Sequence, residues 1–158
     1  MKVEKPSSRD LLQWQALYCN YADFYKIPMD ERGLNTVWSW IHDEKMDFDA
    51  RVVKNEQGDL LGFMHFRPMP SPLRGVIMGF LDDLFVAPRH RGSGVVQLLF
   101  TELKTIARES EWQAVRWITA TDNHRARALA RWLSVAVIQR TACHSLSRAM
   151  VFSSVNNN

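Results

Sequence analysis

The chain has 158 residues, enough for one domain with a core of its own, and its 46% hydrophobic and 23% charged content is that of an ordinary folded protein. A net charge of +3, with 20 Lys and Arg dispersed among 17 acidic residues, argues against a nucleic-acid partner and fits at most a mild preference for anionic ligands. No apolar run reaches membrane-spanning length, the Met1 to Pro6 start has no secretory apolar region, and Cys19 and Cys143 fit no metal-ligand spacing; a cytoplasmic protein without membrane partner, metal site or disulfide is expected.

Ser7 or Ser8 can cap a first helix whose wide apolar stripe is Leu11, Leu12, Trp14, Leu17, Tyr18, Tyr21, Phe24 and Tyr25, with Pro28 at or just past its end. A second helix is predicted after Asp30, with Leu34, Val37, Trp38 and Ile41 on one side and Trp40 on another. These aromatics either pack the helices onto a sheet or, at Tyr21, Tyr25, Trp38 and Trp40, line a substrate pocket. Ala50–Glu56 and Leu60–Arg67 predict the two strands of a hairpin about Gln57, Gly58 and Asp59. In the returning strand Leu61, Phe63 and His65 alternate against Gly62, Met64 and Phe66, so His65 reads as one tooth of a strand lodged beside core aromatics, not as part of a cluster, with a proton carrier as the alternative. Pro68, Pro70 and Pro72 stand in alternate positions, which predicts a stiff loop to Arg74 excluded from any central strand.

Gly75–Ala87 predicts a long strand in which Leu81, Leu84, Phe85 and Val86 are the buried, β-favouring residues, stopped by Pro88. Gly92 and Gly94 allow a sharp turn, and Val95, Val96, Leu99, Leu103 and Ile106 then start helical spacing. The first-turn amides of that helix lack intrahelical partners at the positive end of its dipole, a suitable seat for a pyrophosphate. Ala114–Ala120 predicts a further strand, and Thr121, Asp122 and Asn123 the cap of a further helix. A strand, helix and strand so connected form a parallel, right-handed crossover between neighbouring strands. Trp132–Ile138 reads as helix end and strand, Thr141–Val151 as a last strand, and residues 153–158 as a frayed tail, so one domain over 1–152 is expected.

The pattern Arg89-x-x-Gly92-x-Gly94 between a strand and a helix, after Leu-Asp-Asp-Leu-Phe-Val-Ala-Pro, resembles the acetyl-coenzyme A loop of the GCN5-related N-acetyltransferases. The resemblance implies an α/β fold: a mixed central sheet, largely antiparallel, with a splayed parallel strand pair and flanking helices. It also implies acetyl-coenzyme A as cosubstrate, held by Arg89, His90, Arg91, Gly92, Ser93, Gly94, Val95 and Val96 around the pyrophosphate and by the backbone of Leu84, Phe85 and Val86 along the pantetheine. Asn123 matches the family's Asn-x-x-Ala-x-x-Leu motif as a pantetheine contact. Where the family usually has a Tyr that protonates the leaving thiolate, this chain has Ala130, so water, Ser134 or a Tyr of the first helix would have to substitute.

Acetyl transfer to an amine needs a group that takes the ammonium proton, and Asp82 and Asp83 are the candidates. Adjacent strand residues face opposite ways, so only one can face the acceptor: Asp82 shares the face of Leu84 and Val86, Asp83 that of Phe85. The expected acceptor is a small primary amine, an amino acid or polyamine-like molecule, with protein lysine as an alternative. A coenzyme A-binding protein without turnover, and a partner domain that forms a homodimer through its aromatic-rich first helices, are the competing readings.

Overall fold

The computed structural model describes residues 1–118 and 136–140. In chain order the elements are β1 (Lys2–Glu4), α1 (Leu11–Phe24), α2 (Glu31–His42), β2 (Asp49–Lys54), β3 (Leu60–Ser71), β4 (Val76–Val86), α3 (Val95–Glu109), β5 (Ala114–Ile118) and β6 (Ala136–Arg140). The strands hydrogen-bond in the order β1-β2-β3-β4-β5-β6. β1 and β2, and β2 and β3, are antiparallel, whereas β4 and β5, and β5 and β6, are parallel. Helices flank this mixed sheet, as expected. The contacts gather the described residues into two compact units, Met1–Arg67 with Asp83–Glu102, and Pro68–Asp82 with the described residues from Leu103 onwards.

The first unit begins with a cap. Ser7 and Asp10 close a capping box, the Ser7 amide and hydroxyl both donating to Asp10 Oδ2 at 2.7 and 2.8 Å, and one 3₁₀ turn leads into α1. Trp14, Leu17, Tyr18 and Ala22 form the buried stripe of α1. The face is narrower than the sequence pattern predicts: Leu12 and Phe24 are exposed, because each lies well round the helix from the Trp14–Tyr18–Tyr21 row. In α2, Asp30 accepts from the Gly33 amide at 2.7 Å, and Leu34 and Ile41 are buried with Val37 and Trp38 packed beside them.

Register decides which residues these helices cover. Ala50 pairs with His65 and Val52 with Phe63, so these four share one face of the sheet, and they form a core with Trp14, Leu17, Tyr18, Leu34, Ile41 and Phe85. Arg51, Gly62 and Met64 fall on the other face, where Arg51 Nε donates to Glu102 of α3 at 3.2 Å. Gly62 is a point of close approach. A Cβ built there would lie 2.6 Å from the Phe85 carbonyl oxygen, 3.0 Å from Val95 Cγ1 and 3.2 Å from Val86 Cα, so the absent side chain lets the end of β4 and the start of α3 rest against β3.

β1 has no counterpart among the predicted elements; its three residues pair with Lys54, Val53 and Val52. Beneath it the Lys54 ammonium bridges Glu4 and the buried Asp10, 2.8 Å from Asp10 Oδ2.

In the second unit the prediction of a loop at Pro68–Arg74 is corrected. β3 continues through Pro68 and Pro70 to Ser71, and only Pro72 to Gly75 form the turn, closed by the Gly75 and Arg74 amides on the Ser71 carbonyl at 2.8 and 3.0 Å. The reason is the side on which the missing N–H groups fall. Leu61 accepts from Ala87, so odd-numbered residues of β3 point their backbone groups towards β4, and Phe66, Pro68 and Pro70 point theirs towards β2. The β2 ladder ends at Asp49 opposite Phe66, so neither proline interrupts a ladder bond. The parallel pairing of β4 with β5 covers Gly79, Phe80 and Leu81 against Val115, Arg116 and Trp117. β4 runs on for five residues beyond it, into the first unit.

Candidate active site

Those last residues of β4 carry one half of the candidate site and lead into the other. Asp83 and Phe85 lie on the face covered by α1, as alternation requires, and Asp82 turns to the opposite face. The carboxylate of Asp83, whose side chain is 18% exposed, is embedded in aromatic donors. His65 Nδ1 lies 2.8 Å from Asp83 Oδ2, and the Tyr18 hydroxyl donates to the same oxygen at 3.4 Å. Tyr21 stands beside the same carboxylate. Burial, and then the negative charge of Asp83, push the Tyr21 hydroxyl far above the ordinary phenol range, so Tyr21 keeps its proton and serves only as a donor. Tyr21 stacks on Tyr18 and meets Tyr25, Phe63 and Phe85 edge-on with centroids 5.0 to 5.9 Å apart, which makes an apolar wall beside the carboxylate.

His65 is fully buried and belongs to this cluster. Its Nε2 lies 3.0 Å from Trp14 Nε1, also fully buried, and Phe63, Tyr18 and Phe48 surround the ring. Placing it as an isolated core residue captured the aromatic surroundings and missed the bonds. The signal available in the sequence was face parity: His65, two residues after Phe63, falls opposite Ala50 under the Trp14–Tyr18–Tyr21 row of α1.

Beyond Val86 the chain makes a 3₁₀ turn at Pro88–His90 and then the glycine loop. The Arg91 amide donates to Pro88 O at 3.3 Å, and Ser93 donates to His90 O through its amide at 3.3 Å and its hydroxyl at 2.6 Å. Gly92 and Gly94 have φ of +86° and +90°, a region that side chains disfavour, and a Cβ at either would meet no atom within 4 Å. The loop is therefore held from inside by Arg91 and Ser93, and its glycine faces look onto open space. The first intrahelical bond of α3 runs from Leu98 N to Gly94 O, so the amides of Val95, Val96 and Gln97 precede the helical ladder at its positive end. Arg89 Nε donates to His90 Nε2 at 2.9 Å, and Arg91 Nε reaches the Val86 carbonyl at 3.4 Å, which sets two guanidinium groups beside the loop. An open cradle of positive-φ glycines, helix amides and two arginines fits a pyrophosphate. Val95 is seated on Gly62, and through it the cradle is tied to β3. Asn123, Ala130 and Ser134 lie outside the described residues.

A carboxylate in an aromatic wall on β4 is thus followed along the chain by a loop that can receive an anion. The chain belongs to the GNAT acetyltransferase family: the family's model matches residues 12–134. It is an N-acetyltransferase of that family. The D-amino-acid N-acetyltransferase of Saccharomyces cerevisiae is 29% identical over 128 residues, which cover 80% of each chain. Among solved structures, a probable acetyltransferase superposes with a TM-score of 0.77 at 21% identity, covering 98% of this chain and 100% of that one. An aminoglycoside antibiotic 6'-N-acetyltransferase from Acinetobacter baumannii superposes with a TM-score of 0.69 at 17% identity over 99% of each chain. Both structures share the fold.

Proposed function

We propose that this chain transfers the acetyl group of acetyl-coenzyme A to a small primary amine, with Asp83 as the group that takes the ammonium proton and Asp82, on the other face, outside the acceptor site. The observation that carries this is the position of Asp83: a partly exposed carboxylate in a wall of Tyr18, Tyr21 and Phe85, on the strand that leads into the cradle. Aromatic faces beside a carboxylate favour a small organic cation. The yeast relative, named for D-amino acids, supports an acceptor of that size.

Residues Arg89 to Val96 would hold the pyrophosphate of the coenzyme, and the backbone of Leu84 to Val86 the arm that follows. When bound, the coenzyme supplies an activated thioester carbonyl and a thiol leaving group. The chain's own work is to seat the ammonium and move one proton. Asp83, with Oδ2 engaged by His65 and Tyr18, takes the proton from the ammonium nitrogen on its other oxygen and becomes a carboxylic acid. The freed amine attacks, the N–C bond forms as the C–S bond breaks, and the second nitrogen proton passes through water to the thiolate. Tyr21, beside Asp83, holds its own proton too firmly to act as a base.

The test is a thiol-release assay across D- and L-amino acids, polyamines and lysine peptides. A small amine should give acceptor-dependent release, and Asp83→Asn should lower its kcat/KM by about 100-fold or more while acetyl-coenzyme A still binds. Binding without release for any acceptor would refute the proposal in favour of a coenzyme-binding protein without turnover, the reading that Ala130 motivates.

A further inference from the structure

Resting on the reading of Asp83 as proton acceptor, we infer that His65 is a positioning residue: Trp14 locks it as a single neutral tautomer whose one ring proton orients the Asp83 carboxylate. An indole N–H can only donate. Its contact with His65 Nε2 at 3.0 Å therefore requires that nitrogen to be bare, and the ring proton sits on Nδ1, where it donates to Asp83 Oδ2 at 2.8 Å. This is the opposite of the tautomer that would let His65 pass a proton outwards. A second proton on the ring would set N–H against N–H at Nε2, in a place where neither partner is exposed to water.

The ring is held in orientation as well as in charge. Phe63 lies 4.7 Å away, Tyr18 meets it edge-on at 5.1 Å, and Phe48 and Trp14 lie at 5.5 and 5.7 Å. A half-turn would place carbon where Trp14 and Asp83 need nitrogen, leaving the indole N–H without its acceptor and Asp83 Oδ2 with only the longer bond from Tyr18. Among the described residues, the charged and titratable groups that face His65 are Asp83 from β4 and Tyr18 from α1; β2 offers Ala50, and from α2 Trp38 stands between Trp14 and His42. Asp83 is the only carboxylate among these. The chain Trp14–His65–Asp83 thus fixes Oδ2 from behind and directs the other oxygen to the substrate side, with no proton moving through the imidazole.

Ring-nitrogen NMR of the wild-type protein, with His65→Asn, His65→Leu and Trp14→Phe beside Asp83→Asn, tests this. Wild-type His65 should show a protonated Nδ1 and a bare Nε2. The Nε2–H tautomer, or a ring protonated at both nitrogens, overturns the inference. His65→Leu should lower kcat by about 10- to 100-fold with KM for acetyl-coenzyme A unchanged, since a misdirected base costs turnover and not coenzyme binding. His65→Asn, whose amide N–H can stand near the place of Nδ1, should recover part of the loss, and Trp14→Phe should release the tautomer and lower kcat. Equal kcat in wild type and His65→Leu, with Asp83→Asn inactive, overturns the positioning role and leaves Asp83 as base. Full turnover in Asp83→Asn overturns both. Should His65→Leu fail to fold, the wild-type spectrum and His65→Asn decide the question.

Discussion

Substituting Gly62 by Ala adds one methyl group where β3 meets the end of β4 and the start of α3, outside the glycine loop, and it should still weaken coenzyme binding. The new Cβ would sit 2.6 Å from the Phe85 carbonyl oxygen, where a carbon–oxygen contact needs about 3.3 Å, so β4 and β3 must part locally by about 0.7 Å. Val95 Cγ1 at 3.0 Å must give way as well, and Val95 opens α3 and closes the cradle. Overpacking of this kind costs about 1 to 3 kcal/mol, a fall in Tm of about 3 to 10 °C for a chain of this size. Because the displaced atoms are those that set Leu84–Val86 against the glycine loop, Kd for acetyl-coenzyme A should rise about tenfold, on the scale at which a 1 Å misplacement costs two orders of magnitude. Calorimetric titration with scanning calorimetry measures both. Gly58→Ala is the control: Gly58 has φ of +87° but a Cβ there meets nothing within 4 Å, so it should cost about 1 kcal/mol of strain and leave Kd unchanged. A Gly62→Ala protein that melts earlier yet binds the coenzyme with wild-type Kd would refute the coupling of β3 to the cradle.

Gly94→Val should weaken coenzyme binding without a packing clash, because its cost is backbone strain at φ of +90° plus a side chain standing over the helix amides; titration should show a Kd increase of about tenfold or more with a Tm change of only a few degrees. Lys54→Met should destabilise the fold by about 2 to 4 kcal/mol in denaturant unfolding, since it strands the Asp10 carboxylate in a buried place. The same group sets a pH limit. Burial pushes the Asp10 carboxyl up, but the bonds from Lys54 and Ser7 outweigh it and hold the group below its ordinary 3.8. Its contribution is therefore complete above about pH 3.8 and lost as pH falls through the folded-state value. Lys54, opposed by burial but raised by Asp10 and Glu4, contributes below 10.5 and loses that contribution as pH rises past it. Acid unfolding of Lys54→Met should start from a lower plateau and show a weaker dependence in the acid range; identical acid limbs would remove Asp10 from the account.

Much of the fold could be read along the chain because local chemistry governs it. The Asp30 cap, the Gly58 turn, the long strand before Pro88 and the glycine loop into α3 stand where spacing and propensity put them. The parallel pairing of β4 with β5 follows from connection length and handedness, again a local rule. The extent of β3 was hidden, because a proline is excluded from a ladder only if its N–H faces a partner strand. Which side Pro68 and Pro70 face depends on where β2 ends, a fact about another segment.

The candidate site divides in the same way. Gly92 and Gly94 declare the turn into α3 by themselves, since positive φ and free helix amides are properties of a short stretch. The pair Asp82 and Asp83 was evident from the sequence, and so was their pointing to opposite faces of the strand. That Asp83 is the one on the face under α1 is set by the packing of Trp14, Tyr18 and Tyr21 over Phe63 and Phe85. Trp14, His65 and Asp83 are separated by 51 and 18 residues, and a hydrogen bond between side chains that far apart has no periodicity to betray it. The sequence by itself determined the glycine turn between β4 and α3, because local backbone freedom sets it. Only the tertiary structure decided which of the two aspartates meets His65 and Tyr18, because that depends on side chains brought together from α1, β3 and β4.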